Sequence, residues 1–261
     1  MKKIFAGAAI LTSLMLSLNA SAAEEVVSVD NPLSIRPYVS FKAGAAFMNL
    51  DTRCHTAESN SINDLSCDKN NVDTGEAHKT VFNIRPAIGL EFYKGGDWGV
   101  RTEVEWFSAS KAKLRNNHFA WGPFEETDEE GKTETVYYQG RLHDDIRAQA
   151  LMFNTYIDYH ANDIFTPYAG VGLGWSKMRT KSGAYLVYED GSELLIEDGG
   201  NKTTNKLAVD ASLGTAINFN KHLALDVGVS YYYLGTAQNN TVPWRHSLST
   251  TTVDAGLRVS F

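Results

Sequence analysis

Along residues 253–261, Val253, Ala255, Leu257, Val259 and Phe261 alternate with Asp254, Gly256, Arg258 and Ser260. Successive side chains of an extended strand point to opposite faces, so this stretch has one apolar and one polar face. The same period of two recurs upstream. Segment 36–50 sets Val39, Phe41, Ala43, Ala45 and Phe47 against Lys42 and Gly44, and segment 80–93 sets Phe82, Ile84, Ile88, Leu90 and Phe92 against Arg85, Gly89 and Glu91. Segment 98–111 opposes Val100, Thr102, Val104 and Trp106 to Arg101, Glu103 and Glu105. A fourth segment ending at Tyr159 carries Leu151, Phe153, Thr155 and Ile157 opposite Asn154, Tyr156 and Asp158. In segment 166–179, Ala169, Val171, Leu173 and Trp175 oppose Gly170, Gly172 and Gly174. The sixth opposes Leu207, Val209, Ala211 and Leu213 to Asp210, Ser212 and Gly214, and the seventh opposes Leu223, Leu225, Val227, Val229 and Tyr231 to Asp226, Gly228 and Ser230. Pro86 lies on an apolar face and is expected to break a ladder bond there.

The connections between these eight segments alternate in length. Residues 94–97, 161–165 and 220–222 are short turns, whereas 51–79, the stretch after 111, 180–203 and the stretch around 238–244 are long and polar. An even number of antiparallel strands joined in this way predicts an all-β fold, an eight-stranded transmembrane β-barrel. Its short turns are periplasmic and its long loops extracellular. A soluble barrel would turn its apolar residues inward. Here the polar face carries Lys42, Arg85, Glu91, Arg101, Glu103, Glu105, Asp158, Asp210, Asp226, Asp254 and Arg258, both signs together, and a lumen lets them pair. Tyr38, Trp98, Tyr159, Tyr168 and Phe261 are expected to form an aromatic girdle at one membrane interface, with Trp106, Trp175 and Trp244 toward the other.

The N-terminus agrees with export. Lys2 and Lys3 precede an apolar run over 4–18, and Ala20-Ser21-Ala22 has the small-x-small pattern of a cleavage site. The run is shorter than the ~20 residues that a membrane-spanning helix needs. This reading divides the chain into a signal peptide (1–22), a periplasmic N-terminal segment (23–35) and the barrel domain (36–261). Loss of Lys2 and Lys3 takes the formal charge from −7 to −9. That balance argues against nucleic acid or anionic lipid headgroups as electrostatic partners.

Cys54 and Cys67 form an even pair in an exported chain, which points to a disulfide worth roughly 3 kcal/mol under the loop-entropy model. A metal site using His55 lacks a second histidine at ligand spacing near Cys67, so neither metal nor cofactor is expected. Residues 184–196 read as a hairpin. Tyr185, Leu186 and Tyr188 approach a turn at Asp190-Gly191, and Leu194 and Ile196 follow it. It is a candidate binding surface. The acidic run 125–130 lacks the spacing of a calcium loop and reads as a solvated tip. His246 and Ser247 are adjacent on a strand and so face opposite ways, which disfavours lipid hydrolysis; no catalytic residues are expected.

The string Phe165-Thr-Pro-Tyr-Ala-Gly-Val-Gly-Leu-Gly174, preceded by Asn154-Thr-Tyr-Ile-Asp158, resembles the central signature of the opacity-protein-like outer-membrane barrels. Val229-Ser-Tyr-Tyr-Tyr-Leu234 and the terminal strand resemble the last hairpin of that family. Where many relatives carry a Gly-Tyr-Arg-Tyr-like string, this chain has Tyr231-Tyr232-Tyr233, which removes a lumenal arginine and leaves the pairing of Asp226 and Asp254 open. The resemblance implies a non-enzymatic barrel in the outer membrane of a Gram-negative bacterium, an adhesin or surface antigen with a structural role in the envelope. Its expected partners are outer-membrane lipid, host surface or matrix molecules, and the barrel-assembly machinery. The last would engage the C-terminal strand, with Val259 and Phe261 as insertion signal. A small-solute, weakly cation-preferring porin is the second reading, because seven acids face four bases on the polar side. An eight-stranded interior, however, is only wide enough for side chains to fill.

Overall fold

The computed structural model describes residues 33–54, 77–127, 131–188, 191–238 and 244–261. The strands are β1 (Ser34–Cys54), β2 (Ala77–Tyr93), β3 (Trp98–Ala109), β4 (Ala112–Thr127), β5 (Thr133–Tyr159), β6 (Phe165–Val187), β7 (Glu193–Asn218), β8 (Leu223–Gln238) and β9 (Trp244–Ser260). All pairings are antiparallel, in the order β3-β2-β1-β9-β8-β7-β6-β5-β4, and β3 also pairs with β5. Because β3 and β4 follow one another along the same side of β5, the nine segments make eight staves of a closed barrel.

The break between β3 and β4 is a bulge. Ser108 lies opposite Gln149 and Ala112 opposite Ile146, so four steps on one strand face three on the other. Ser110 and Lys111 are both exposed, while Ala109 and Ala112 on either side are both buried. One extra residue inverts the phase of alternation, so the buried positions are odd-numbered before the bulge and even-numbered after it. That shift hides the continuation of the strand, so a stretch that reads as loop after residue 111 forms β4 and the upper half of β5. The ladder between β2 and β3 skips Arg85 and Pro86, as a residue without an N–H requires.

The chain ends are joined by β1 and β9, with Val39 opposite Val259 and the Phe261 amide donating to the Pro37 carbonyl at 2.9 Å. β1 begins at Ser34. The signal peptide 1–22, most of the 23–35 segment, Cys67 and the side chain of Cys54, the end of the acidic run, and Asp190 lie outside the described residues. The expected disulfide is therefore among the readings that the described residues do not reach.

The outer surface carries a continuous apolar band. Phe153, Val171, Leu173 and Leu213 each keep more than half of their area exposed. An apolar surface of this extent is stable only against lipid. From Phe165 to Trp175 along β6, a rise of about 3.3 Å per residue and a tilt of about 40° give a height of about 25 Å, the thickness of such a band. Trp98, Tyr159 and Phe261 are exposed at its lower edge, and Trp106 and Trp175 at its upper edge. Tyr38 and Tyr168 do not join that girdle: both are buried inside the barrel. They share parity with Lys42 and Gly170, and strand alternation turns them inward.

Replacing Val171, which is 66% exposed in mid-band, by Arg should lower the unfolding free energy by about 2–4 kcal/mol in a urea titration from lipid vesicles.

Candidate functional site

The interior has two layers. The lower one, toward the short turns, holds buried charges on seven staves. Arg85 on β2 reaches across the lumen to Asp254 on β9 at 2.8 Å and to Glu105 on β3 at 2.9 Å, and donates to the Ser230 hydroxyl at 2.9 Å. Lys42 on β1 sits 3.2 Å from Glu103 and 3.5 Å from Glu105. Arg101 donates to Asp158 at 2.6 Å and lies 3.9 Å from Asp226. Arg258 pairs with Glu91 and stands 3.5 Å from Asp226. Arg36, at the mouth, adds a second cation to Glu91 at 3.3 Å. Asp226 and Asp254 are thus served by arginines of β2, β3 and β9, and no arginine is needed at Tyr232. Asp210 accepts from Ser212 at 3.0 Å and has no ion pair among the described residues.

Three tyrosines complete the network. Glu103 accepts from Tyr38 at 2.9 Å and from Tyr156 at 2.8 Å, and Glu105 accepts from Tyr232 at 2.7 Å. Charge-assisted hydrogen bonds of this kind satisfy oxygens that would otherwise be orphaned in a low dielectric. The Arg101 guanidinium also lies 4.9 Å from the ring centres of both Tyr156 and Tyr168. Room for the rings comes from glycine. A Cβ on Gly170 would stand 2.2 Å from Tyr156, and one on Gly214 would stand 2.4 Å from the Tyr168 hydroxyl. Tyr38, Tyr168, Tyr232 and Arg36 are absent from the set of lumen residues read from the sequence. The parity of Tyr38 with Lys42, of Tyr168 with Gly170 and of Tyr232 with Ser230 is the signal that identifies the tyrosines.

Above Glu105 the interior becomes apolar. Met48, Leu50, Phe107, Ile146, Met152, Met178, Leu234 and Leu248 form one buried cluster with six alanines and Tyr232 among its members. Phe107 stacks on Tyr232 with ring centres 4.7 Å apart. Phe107, Tyr232 and Leu234 have no accessible surface at all. A vestibule of about 820 Å³ opens at the short-turn mouth, lined by Arg36, Glu91, Asp158, His160 and Arg258 among others. The charged layer and the apolar layer close it from above.

Beyond the membrane, β4 to β7 continue as a projecting sheet. At its root Asp145 accepts from Arg115 at 2.9 Å and pairs with Lys111. Burial opposes its charge, but the hydrogen bonds from Lys111 and Arg115 hold the carboxyl below the ordinary range. At the tip, Gly191 adopts φ +80° and the Tyr188 amide donates to the Ser192 carbonyl at 3.0 Å. Leu186 is buried, whereas Tyr188, Leu194 and Leu195 are exposed. The Tyr185 and His143 rings pack at a tilt of 31°, with centres 4.3 Å apart. Burial, reinforced by the charge of Arg115, keeps His143 below its ordinary value. Its Nε2 stands 3.2 Å from a carboxylate oxygen of Glu193. Arg141 reaches the other oxygen of Glu193 at 2.5 Å. The hairpin is held from its flank, not left loose. The side chain of Ile196 lies outside the described residues.

Arg85→Met leaves Glu105 and Asp254 buried with one cationic partner fewer, and should cost about 3–5 kcal/mol. Arg36→Met at the half-exposed mouth should cost about 1 kcal/mol or less. Denaturant titrations of the two refolded variants check the contrast.

Several known proteins are similar to this chain. The outer membrane protein PagN of Salmonella typhimurium is 23% identical over 239 residues, spanning 90% of this chain and 85% of the relative. Opacity protein opA52 of Neisseria gonorrhoeae is 24% identical over 236 residues, spanning 78% of this chain and 90% of the relative. The crystal structure of Neisserial surface protein A aligns with a TM-score of 0.42 and 16% identity, over 85% of this chain and 97% of that one. The sequence model for the outer membrane protein beta-barrel domain matches residues 8–261. With a lipid-facing band, a closed eight-stave barrel and a family match over nearly its whole length, the chain belongs to the outer membrane protein beta-barrel domain family and resides in the outer membrane.

Proposed function

We propose that this barrel is a surface adhesin or antigen that binds host surface or matrix molecules through the β6–β7 hairpin, with a structural role in the envelope alongside. The observation that carries this reading is the hairpin tip. Tyr188, Leu194 and Leu195 are exposed to water there, on a strand pair fastened from its flank through Tyr185, His143 and Glu193. Exposed large side chains on a pre-ordered support lose little conformational entropy when a partner covers them. Strand length supports the same reading: β5, β6 and β7 have 27, 23 and 26 residues, whereas a crossing takes about 9–11. More than half of each strand is therefore spent outside the membrane. The names of the relatives, an outer membrane protein and an opacity protein, fit a surface role. The pore reading draws no support from an interior closed by Phe107, Tyr232 and Leu234.

Replacing Tyr188, Leu194 and Leu195 together by Ser should reduce adhesion of expressing cells to host cells or matrix by about ten-fold or more, since central apolar anchors dominate such interfaces. A heat-modifiable gel shift would show that the barrel still folds. Unchanged adhesion by a folded triple variant would refute the hairpin as the binding surface.

A further inference from the structure

The rows of the barrel can be followed across β3, β5, β6 and β7. Trp106 lies opposite Leu151, Leu151 opposite Trp175, and Trp175 opposite Leu207. This row is the top of the apolar band at the long-loop end, and all four side chains are exposed. The next positions outward along β6 with the same lipid-facing parity are Lys177, Arg179 and Lys181, all exposed. Arg147 on β5 is directly opposite Arg179 and is exposed as well. Two arginines facing each other across a strand pair repel one another. Among the described residues neither has an ion pair, and neither do Lys177 and Lys181. The nearby carboxylate, Asp145, is already taken by Lys111 and Arg115.

Each two-residue step along a tilted strand climbs about 5 Å. Lys177 therefore stands about 5 Å above the tryptophan row, and Arg179 and Arg147 about 10 Å above it. That is the depth of lipid headgroups, on the side of the barrel that faces lipid and at the end that faces outward. We infer that this belt binds the phosphate groups of a phosphorylated glycolipid in the outer leaflet. Phosphate supplies the missing counter-charge for the opposed arginines, and a guanidinium fork matches it with two parallel hydrogen bonds. The acidic net charge of the chain opposes this only at long range. Screening confines each charge to about 8 Å at physiological salt, so a local row of cations acts independently of the acidic residues elsewhere.

The test uses the folded full-length barrel in neutral detergent, with native mass spectrometry reading bound lipid. Bisphosphorylated lipid A, its enzymatically dephosphorylated form and inorganic phosphate are the probes. The wild-type protein should retain the bisphosphorylated lipid, lose the dephosphorylated one, and keep its lipid in millimolar inorganic phosphate. The triple variant Arg147→Gln, Lys177→Gln, Arg179→Gln should retain at least about ten-fold less lipid, and Arg179→Gln alone should show a partial loss. Neutralising Lys94 and Lys221 at the short turns should change nothing. Equal retention by the triple variant would overturn the proposal, as would equal retention of the dephosphorylated lipid. Displacement by inorganic phosphate would overturn the lipid as the source of the anion.

Discussion

The contact on which the rest of this barrel depends is Arg85 bridging Asp254 and Glu105 across the lumen. A barrel of eight staves has an interior too narrow for bulk water, so polar side chains pointing inward must find partners in one another. Arg85 ties β2 to β9 and to β3. Lys42, Arg101 and Arg258 extend the same ties to β1, β5 and β8. The consequence for folding is a fixed register. A slip of one residue on any of these strands sends its charge into lipid and leaves its partner bare, and both errors are expensive.

The two layers of the interior divide the work. In the charged layer, Tyr38 and Tyr156 pack over glycines on neighbouring strands and donate to Glu103, so ring packing and carboxylate solvation come from the same side chains, and Tyr232 donates to Glu105. In the upper layer, Phe107, Leu234 and Met48 replace charges with a conventional apolar core. That core sits beneath the projecting sheet and gives it a solid base. The outer surface follows the same levels: apolar side chains against lipid, tryptophans at the edge, then a cationic row, then the hairpin.

The strands that cross the membrane were legible because each alternates without interruption between a lipid face and an interior face. From that, the positions of Lys42, Arg85, Glu103 and Asp254 on one face follow directly. The pairing did not follow. Asp254 and Arg85 are separated by β1 in the sheet, and only barrel closure brings them together. β4 was hidden because the Ser110–Lys111 bulge breaks the period of two where a reader looks for it. Tyr38 and Tyr168 were misplaced because an aromatic near a strand end suits either an interface or a buried hydrogen bond, and composition does not decide between them. Parity does.

The most direct test of the account is electrical. Folded protein inserted in a planar bilayer should give no discrete conductance steps under moderate voltage, because ion pairs and the Phe107–Tyr232 stack close the interior. Reproducible unitary steps from protein shown to be folded would contradict it.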